Sequence, residues 1–248
     1  MRSARRNARQ AHRRLARTLT AVGVLSWWQR NRLADRLTES QARSPSGRLA
    51  QCFYAKARGH HEGFQDVLQA LSLHHEDRLV EIGCGGGVFL ELALEHCGNA
   101  RAIDHSLDML DLASRRNAQA IADGRLTLIE GKAERLPFAP GEFTVAAMTD
   151  VFLVLEDPAP VLAELHRVLA PEGRLAIHTR APATEPLMRR LGLGWMARRL
   201  RFYDDDELAA LLSGAGFDDV TVTRRARSYA QLATATRTLP PSAPVGDA

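Results

Sequence analysis

The sequence predicts an α/β protein: a seven-stranded sheet, mostly parallel with an antiparallel C-terminal hairpin, and helices on both faces. Three observations predict it. Short apolar runs alternate with stretches of helical periodicity from Leu79 to Leu212, the pattern of strand–helix units around a parallel sheet. The first run, Leu79–Ile82, breaks into the glycine turn Gly83-Cys84-Gly85-Gly86-Gly87 before a helix starting at Val88. Two final strand-like runs, Asp219–Arg225 and Ser228–Thr236, leave no room for a helix between them. A parallel crossover takes about a dozen residues or more, so this pair is antiparallel.

In chain order, Phe64, Val67, Leu68 and Leu71 mark one helical face after the polar break Ser44-Pro45-Ser46-Gly47. The strand at Leu79–Ile82 precedes a helix carrying Phe89, Leu92 and Ala93. A strand near Ala100–Asp104 precedes one carrying Leu107, Leu110 and Ala113. Leu126–Ile129 leads through a long loop to a strand near Val145–Thr149. A helix holding Val161, Leu162, Leu165, Val168 and Leu169 ends at Pro171-Glu172-Gly173, and Arg174–Thr179 is the next strand. Asp204 or Asp205 caps a helix through Leu208, Leu211 and Leu212 that Gly214 and Gly216 stop.

The glycine turn carries the chemistry. A backbone this rich in glycine lets a ligand approach where a Cβ would collide, and the helix after it presents unpaired N–H groups. Asp104, closing the second strand, suits a ribose diol. A nucleoside-containing cofactor follows. A dinucleotide fingerprint needs a third glycine where this chain has Val88, which disfavours a nicotinamide-dependent oxidoreductase.

The chain of 248 residues has the hydrophobic and charged fractions, 45% and 25%, of a globular protein. Its cysteines, Cys52, Cys84 and Cys97, show no metal-ligand or disulfide spacing, which points to a reducing compartment. Residues 1–36 hold ten arginines against the single acid Asp35, so the net charge of +4 belongs to this end and the body is acidic. Leu15, Leu19, Val22, Leu25 and Trp28 fall at helical steps there, and three readings stay open. One is a basic amphipathic helix in peripheral contact with an anionic membrane. The others are a targeting peptide and a solvated helix. The longest uncharged run, Thr18–Gln29, is too short to span a bilayer. No basic–aromatic interleaving supports nucleic-acid binding. The expected organisation is an N-terminal extension at 1–43, one domain at 44–236 and a disordered, proline-containing tail at 237–248.

The body resembles the class I S-adenosylmethionine-dependent methyltransferases, in particular the type 11 family that includes ubiquinone and menaquinone biosynthesis enzymes. The residues carrying the resemblance are Val80-Glu81-Ile82-Gly83-Cys84-Gly85-Gly86-Gly87, Ala102-Ile103-Asp104-His105-Ser106, Gly131-Lys132-Ala133-Glu134-Arg135-Leu136-Pro137-Phe138, Asp157-Pro158 and Leu165–Gly173, with Ala215-Gly216-Phe217. The resemblance implies a Rossmann-like fold and S-adenosyl-L-methionine as cofactor. It implies that Glu81 and the loop Gly83, Cys84, Gly85 and Gly87 hold the methionine end, that Asp104 takes both ribose hydroxyls, that His105 flanks the adenine, and that the Ala133 N–H meets an adenine nitrogen. Three positions depart from the family. Lys132 stands where an acid accepts from the adenine amino group, and an ammonium cannot accept. Thr144 follows Phe143 in place of aspartate, and Leu153-Val154 replace paired histidines.

Methyl transfer from a sulfonium needs alignment and water exclusion, and a general base only where the acceptor loses a proton. Asp150, after the fourth strand, is the candidate base, with a helix or turn cap as the competing role. His178, on the fifth strand, reads better as a structural histidine. The long stretch Arg180–Tyr203, with Leu187, Leu191, Trp195 and Phe202 among arginines, suggests a lid, apolar inside and basic outside. The resulting expectation is a cytoplasmic enzyme, membrane-peripheral if residues 1–36 bind lipid, that methylates a small hydrophobic or lipid-like acceptor and holds no metal. The alternative is a non-catalytic cofactor-binding or adaptor protein that retains the fold.

Overall fold

A computed structural model of the chain describes residues 61–182, 184–191, 198–225 and 229–238. The expected N-terminal extension, the Trp195 part of the lid and the tail beyond Thr238 lie outside the described residues. The elements are α1 (His61–Leu71), β1 (Arg78–Ile82), α2 (Val88–Ala93), β2 (Asn99–Asp104), α3 (Leu107–Arg116), α4 (Ala118–Ala122), β3 (Leu126–Glu130), β4 (Phe143–Thr149), a 3-10 turn at Phe152–Val154, α5 (Ala159–Val168), β5 (Leu169–Arg180), α6 (Thr184–Arg190), α7 (Asp205–Gly214), β6 (Asp218–Arg224) and β7 (Ala230–Arg237).

The seven strands form one sheet in the order β3-β2-β1-β4-β5-β7-β6. The β1–β2, β1–β4, β2–β3 and β4–β5 pairs are parallel. The β5–β7 and β6–β7 pairs are antiparallel, so the terminal hairpin is as expected. Side chains alternate across the pleat, which makes two separate cores. Val80, Ile82, Met148 and Ile177 pack with Leu162 and Leu165 of α5 and Leu208 and Leu212 of α7. Leu79, Ala102, Ala147 and Ala176 pack on the other face with Phe64 and Val67 of α1, Phe89 of α2 and Ala113 of α3.

Three local readings change. The helix read through Leu169 stops at Val168, because Leu169 is extended at φ −72°, ψ 140°. Strand β5 starts there, and Pro171-Glu172-Gly173 becomes an irregularity within it, between the Phe143↔Leu169 and Val145↔Arg174 pairings. In α3, Leu107 is 65% exposed while Met109 and Ala113 are buried. Leu107 is the first helical residue after the Ser106 cap, so the core-facing spacing begins at Met109. Strand β7 runs through Arg237, one residue past the strand-like run that ends at Thr236. The Asp204 cap is as read: its side chain accepts from the Glu207 N–H in a capping box.

Of the expected lid, α6 buries no residue, and Leu191 is 65% exposed. The far end of the segment is anchored, since the Arg201 N–H donates to the Leu153 carbonyl at 2.8 Å and Tyr203 stacks edge-on against Phe152. Among the described residues no helix is long and apolar enough to cross a membrane.

Candidate functional site

The carboxyl ends of β1, β2 and β4 converge on the glycine turn. Gly83, Gly85 and Gly87 all have positive φ, at 73°, 49° and 73°. Two of them also sit where a side chain has no space. A Cβ on Gly83 would lie 2.4 Å from the Val151 side chain, and one on Gly87 would lie 2.9 Å from the Ala113 backbone. The turn is tied to β2 through the Gly83 N–H, which donates to the Ile103 carbonyl at 2.7 Å.

Asp104 is 6% exposed. Its carboxylate accepts from the Gly85 N–H and from the Ser106 N–H, each at 2.9 Å. An ionised carboxylate has about four acceptor sites, so two remain for a ligand. His105 follows, half-exposed, its Nδ1 3.7 Å from Asp104 Oδ1.

Glu81 is buried behind the turn, and its Oε2 has no hydrogen-bond partner. The Thr149 hydroxyl donates to Oε1 over a long 3.5 Å. Burial first, and the Asp104 charge second, push this carboxyl up to about 8 against the weak Thr149 bond. Cys84 is buried as well. Burial, reinforced by Glu81 and Asp104, holds its thiol well above the ordinary range, so it packs as a small apolar side chain.

A cavity of about 250 Å³ opens beside the turn. Ile82, Ile103, Ala133, Val154 and Leu155 form its apolar walls, and Asp104, His105 and Lys132 its polar ones. Gly83, Asp104, His105 and Ala133 thus line one cavity. Lys132 lies on the same wall, its carbonyl already accepting from the Arg135 N–H at 3.2 Å. Two carboxylates the sequence reading did not assign, Glu134 and Glu156, line the cavity too.

The α3 terminus contributes a clamp that was not foreseen. Arg116 donates through Nε to the Gly86 carbonyl and through Nη1 to Glu91, both at 3.0 Å. Asn117 Nδ2 donates to the Gly87 and Ala113 carbonyls, also at 3.0 Å. Apart from the Ala113 contact, these bonds join positions 25 to 30 residues apart, and only the basic last turn of α3 marks them in the sequence.

Asp150 follows β4 in a left-handed conformation, φ 54°. Its carboxylate accepts from Arg180 Nε at 3.2 Å and Nη2 at 3.3 Å, and lies 3.2 Å from His178 Nδ1. Its backbone N–H donates to the His178 carbonyl at 2.9 Å.

The sequence of residues 80–177 matches the methyltransferase domain family. The body of this chain is a class I S-adenosylmethionine-dependent methyltransferase. A demethylmenaquinone methyltransferase of Paenarthrobacter aurescens is 29% identical over 177 residues, which is 62% of this chain and 68% of that one. A ubiquinone/menaquinone biosynthesis C-methyltransferase of Rhizobium leguminosarum is 26% identical over 204 residues, 70% of this chain and 78% of that one. The fold recurs in the putative methyltransferase bound to the Trm112 activator of Haloferax volcanii. The TM-score there is 0.60 at 17% identity, over 76% of this chain and 97% of that one. It recurs also in a geranyl diphosphate C-methyltransferase of Streptomyces coelicolor holding S-adenosyl-L-homocysteine, with TM-score 0.59 and 15% identity over 72% and 77%. The methyltransferase uses S-adenosylmethionine as its cofactor.

Space around the turn yields one stability prediction. Gly87→Ala meets backbone at Ala113 and adopts a left-handed φ, whereas Gly124, at φ 72°, has nothing within 4 Å of a Cβ. Gly124→Ala should therefore show only the conformational penalty, about 1 kcal/mol. Gly87→Ala should lose about 2–4 kcal/mol, a drop in Tm of roughly 5–15 °C for a domain of this size. Thermal unfolding of both variants checks it, and equal losses would remove steric crowding as the reason for Gly87.

Proposed function

We propose that this methyltransferase transfers a methyl group to a small hydrophobic acceptor that carries a hydroxyl. S-adenosylmethionine supplies a methyl group on a cationic sulfur. The observation that carries the cofactor side is the pairing of two buried carboxylates with the glycine turn. Asp104 keeps two acceptor sites free, and Glu81 Oε2 has no partner. A ribose diol matches the first, and the ammonium of the methionine end matches the second.

On this reading Asp104 holds the ribose, Glu81 faces the ammonium, and Gly83, Cys84, Gly85 and Gly87 let the backbone close on the methionine end. Ala133 and His105 flank the adenine, with Ile103 and Leu155 packing its faces. Lys132 cannot accept from the adenine amino group, and Glu134 or Glu156 on the same cavity supplies that carboxylate. The acceptor class rests on the quinone-methylating relatives and on the apolar substitution Leu153-Val154 beside the site. The N-terminal segment 1–43 belongs to the same proposal as a basic appendage that brings the enzyme to a lipid-like acceptor at an anionic surface.

Calorimetry of the full chain with S-adenosylhomocysteine tests the cofactor side, and binding in the micromolar range is expected. No heat at millimolar ligand would sink it. Mass spectrometry of metabolites that gain 14 Da on incubation with S-adenosylmethionine identifies the acceptor. An acceptor without a hydroxyl would overturn that half.

A further inference from the structure

The polar groups of the cofactor side continue along one face of the sheet. Residues at period two share a face. Glu81 lies between Val80 and Ile82, which point into the α5/α7 core, so Glu81 faces α1. Asp104 shares its face with Ala102, Thr149 with Ala147, and His178 with Ala176, all of the α1-side core. Thr149 pairs in register with His178. A row therefore runs Asp104, Glu81, Thr149, His178 across β2, β1, β4 and β5, at the carboxyl edge where the methyl donor is proposed to bind.

His178 ends this row in an unusual condition. It is 2% exposed, and its Nε2 is buried with no hydrogen-bond partner. A buried imidazole normally satisfies both nitrogens. Nδ1 lies 3.2 Å from Asp150, whose carboxylate Arg180 also holds. A carboxylate only accepts, so Nδ1 carries a proton, and in the neutral ring Nε2 presents its lone pair. Space is reserved for the ring: a Cβ on Gly63 of α1 would sit 2.7 Å from Nε2.

The ring forms part of the wall of a second cavity, of about 460 Å³, between α1 and the β6–β7 hairpin. Ala70, Ala230 and Leu232 give it apolar surface, and Gln231 lines it too. The Gln231 side chain lies on the other face of the sheet, with Ala233 and Ala235, where its Nε2 donates to Asp205 of α7. On the α1 face His178 Nε2 is thus an unpaired acceptor, and a buried acceptor left empty costs free energy. A ligand with hydroxyl donors on an apolar ring removes that cost.

We propose that Asp150 and His178 form a dyad in which His178 Nε2 binds the acceptor's hydroxyl and takes its proton. This rests on the reading of the acceptor as hydroxylated. In the step, Nε2 gains the proton as the O–H bond breaks. The electron pair so released drives the new bond from the acceptor's oxygen or ring carbon to the methyl carbon. The sulfur–methyl bond breaks with its pair kept on sulfur, so the donor's positive charge ends on the imidazolium. Asp150 is a positioning residue that fixes the tautomer and stabilises that imidazolium. Arg180 holds the same carboxylate through Nε and Nη2. The other charged groups around the cavity are Asp66 of α1 and Arg224 and Arg225 of the hairpin, where Arg225 pairs with Asp66 at 3.2 Å and Arg224 with Asp205 at 2.8 Å.

The test uses the full chain labelled with ¹⁵N-histidine and 1,4-dihydroxynaphthalene, kept reduced, as probe. His178 should show a bare Nε2 and a protonated Nδ1, and Asp150→Asn should change that tautomer balance. A protonated Nε2 with a bare Nδ1 would overturn the dyad. The diol should move the Nε2 resonance, and its affinity should fall about tenfold in His178→Gln. An unmoved resonance or an equal affinity would overturn the hydroxyl site. Formation of S-adenosylhomocysteine with the diol should fall about 100-fold in His178→Gln. Equal rates in the two proteins, zero included, would overturn the base role. Binding of S-adenosylhomocysteine, measured separately, should match wild type in His178→Gln. Its absence in wild type would count against the cofactor site, while the tautomer still decides the dyad.

Discussion

Replacing Asp104 with alanine is expected to weaken S-adenosylhomocysteine binding at least 100-fold and to lower the stability of the unliganded protein. Two effects add. The carboxylate accepts from the Gly85 and Ser106 N–H groups, and removing it leaves both donors without an acceptor. Each such loss costs about 1–3 kcal/mol when the donor stays buried. The proposed ribose contacts disappear as well, and charge-assisted bonds are worth about twice neutral ones. Calorimetry gives the first quantity and thermal unfolding the second. Asp104→Asn separates them, because its amide oxygen retains one backbone acceptor while its NH₂ opposes the other donor. A variant without the carboxylate that still binds within threefold of wild type would show that Asp104 only braces the turn.

The glycine turn and Asp104 were legible in the sequence because their signals are local. Glycine spacing fixes the turn, and an acid at the end of an apolar run fixes the strand edge. The hairpin was legible for a similar reason, since a connection from Arg225 to Ser228 excludes a crossover. Other features depend on register and on packing between distant segments. That His178 meets Asp150 follows from the pairing of Thr149 with His178, which no spacing in the chain reveals. The reading of His178 as structural had no view of its empty Nε2. Arg116 and Asn117 reach the turn only because α3 packs beside α2. Leu107 misled because a leucine at the first helical position looks like part of the apolar stripe, while the stripe starts at Met109. Glu156 sits after a loop whose course the sequence does not determine, so its place on the same cavity as Lys132 appears only in the structure.

Glu81 should make the unliganded protein's stability depend on pH in a direction opposite to an ordinary surface carboxylate. Its carboxyl is pushed from 4.5 up to about 8 in the fold. Below 4.5 the group is protonated in both folded and unfolded chains and contributes nothing. Above it the unfolded chain ionises first, so stability falls as pH rises, until the folded carboxyl ionises near 8. At about 1.4 kcal/mol per pKa unit the whole span is on the order of 5 kcal/mol. Urea unfolding between pH 5 and pH 8 should show this loss in wild type and little of it in Glu81→Gln. The proposed ammonium contact then reverses the sign. A cation beside Oε2 favours the carboxylate, so binding S-adenosylmethionine at pH 7 should release close to one proton. Calorimetry in buffers of different ionisation enthalpy reads that number directly. Asp104→Ala should diminish it only in part, since burial is the larger cause of the raised pKa and the Asp104 charge the smaller. Binding at pH 7 with no proton released would place the ammonium elsewhere, and Glu81→Gln would then bind the cofactor as well as wild type.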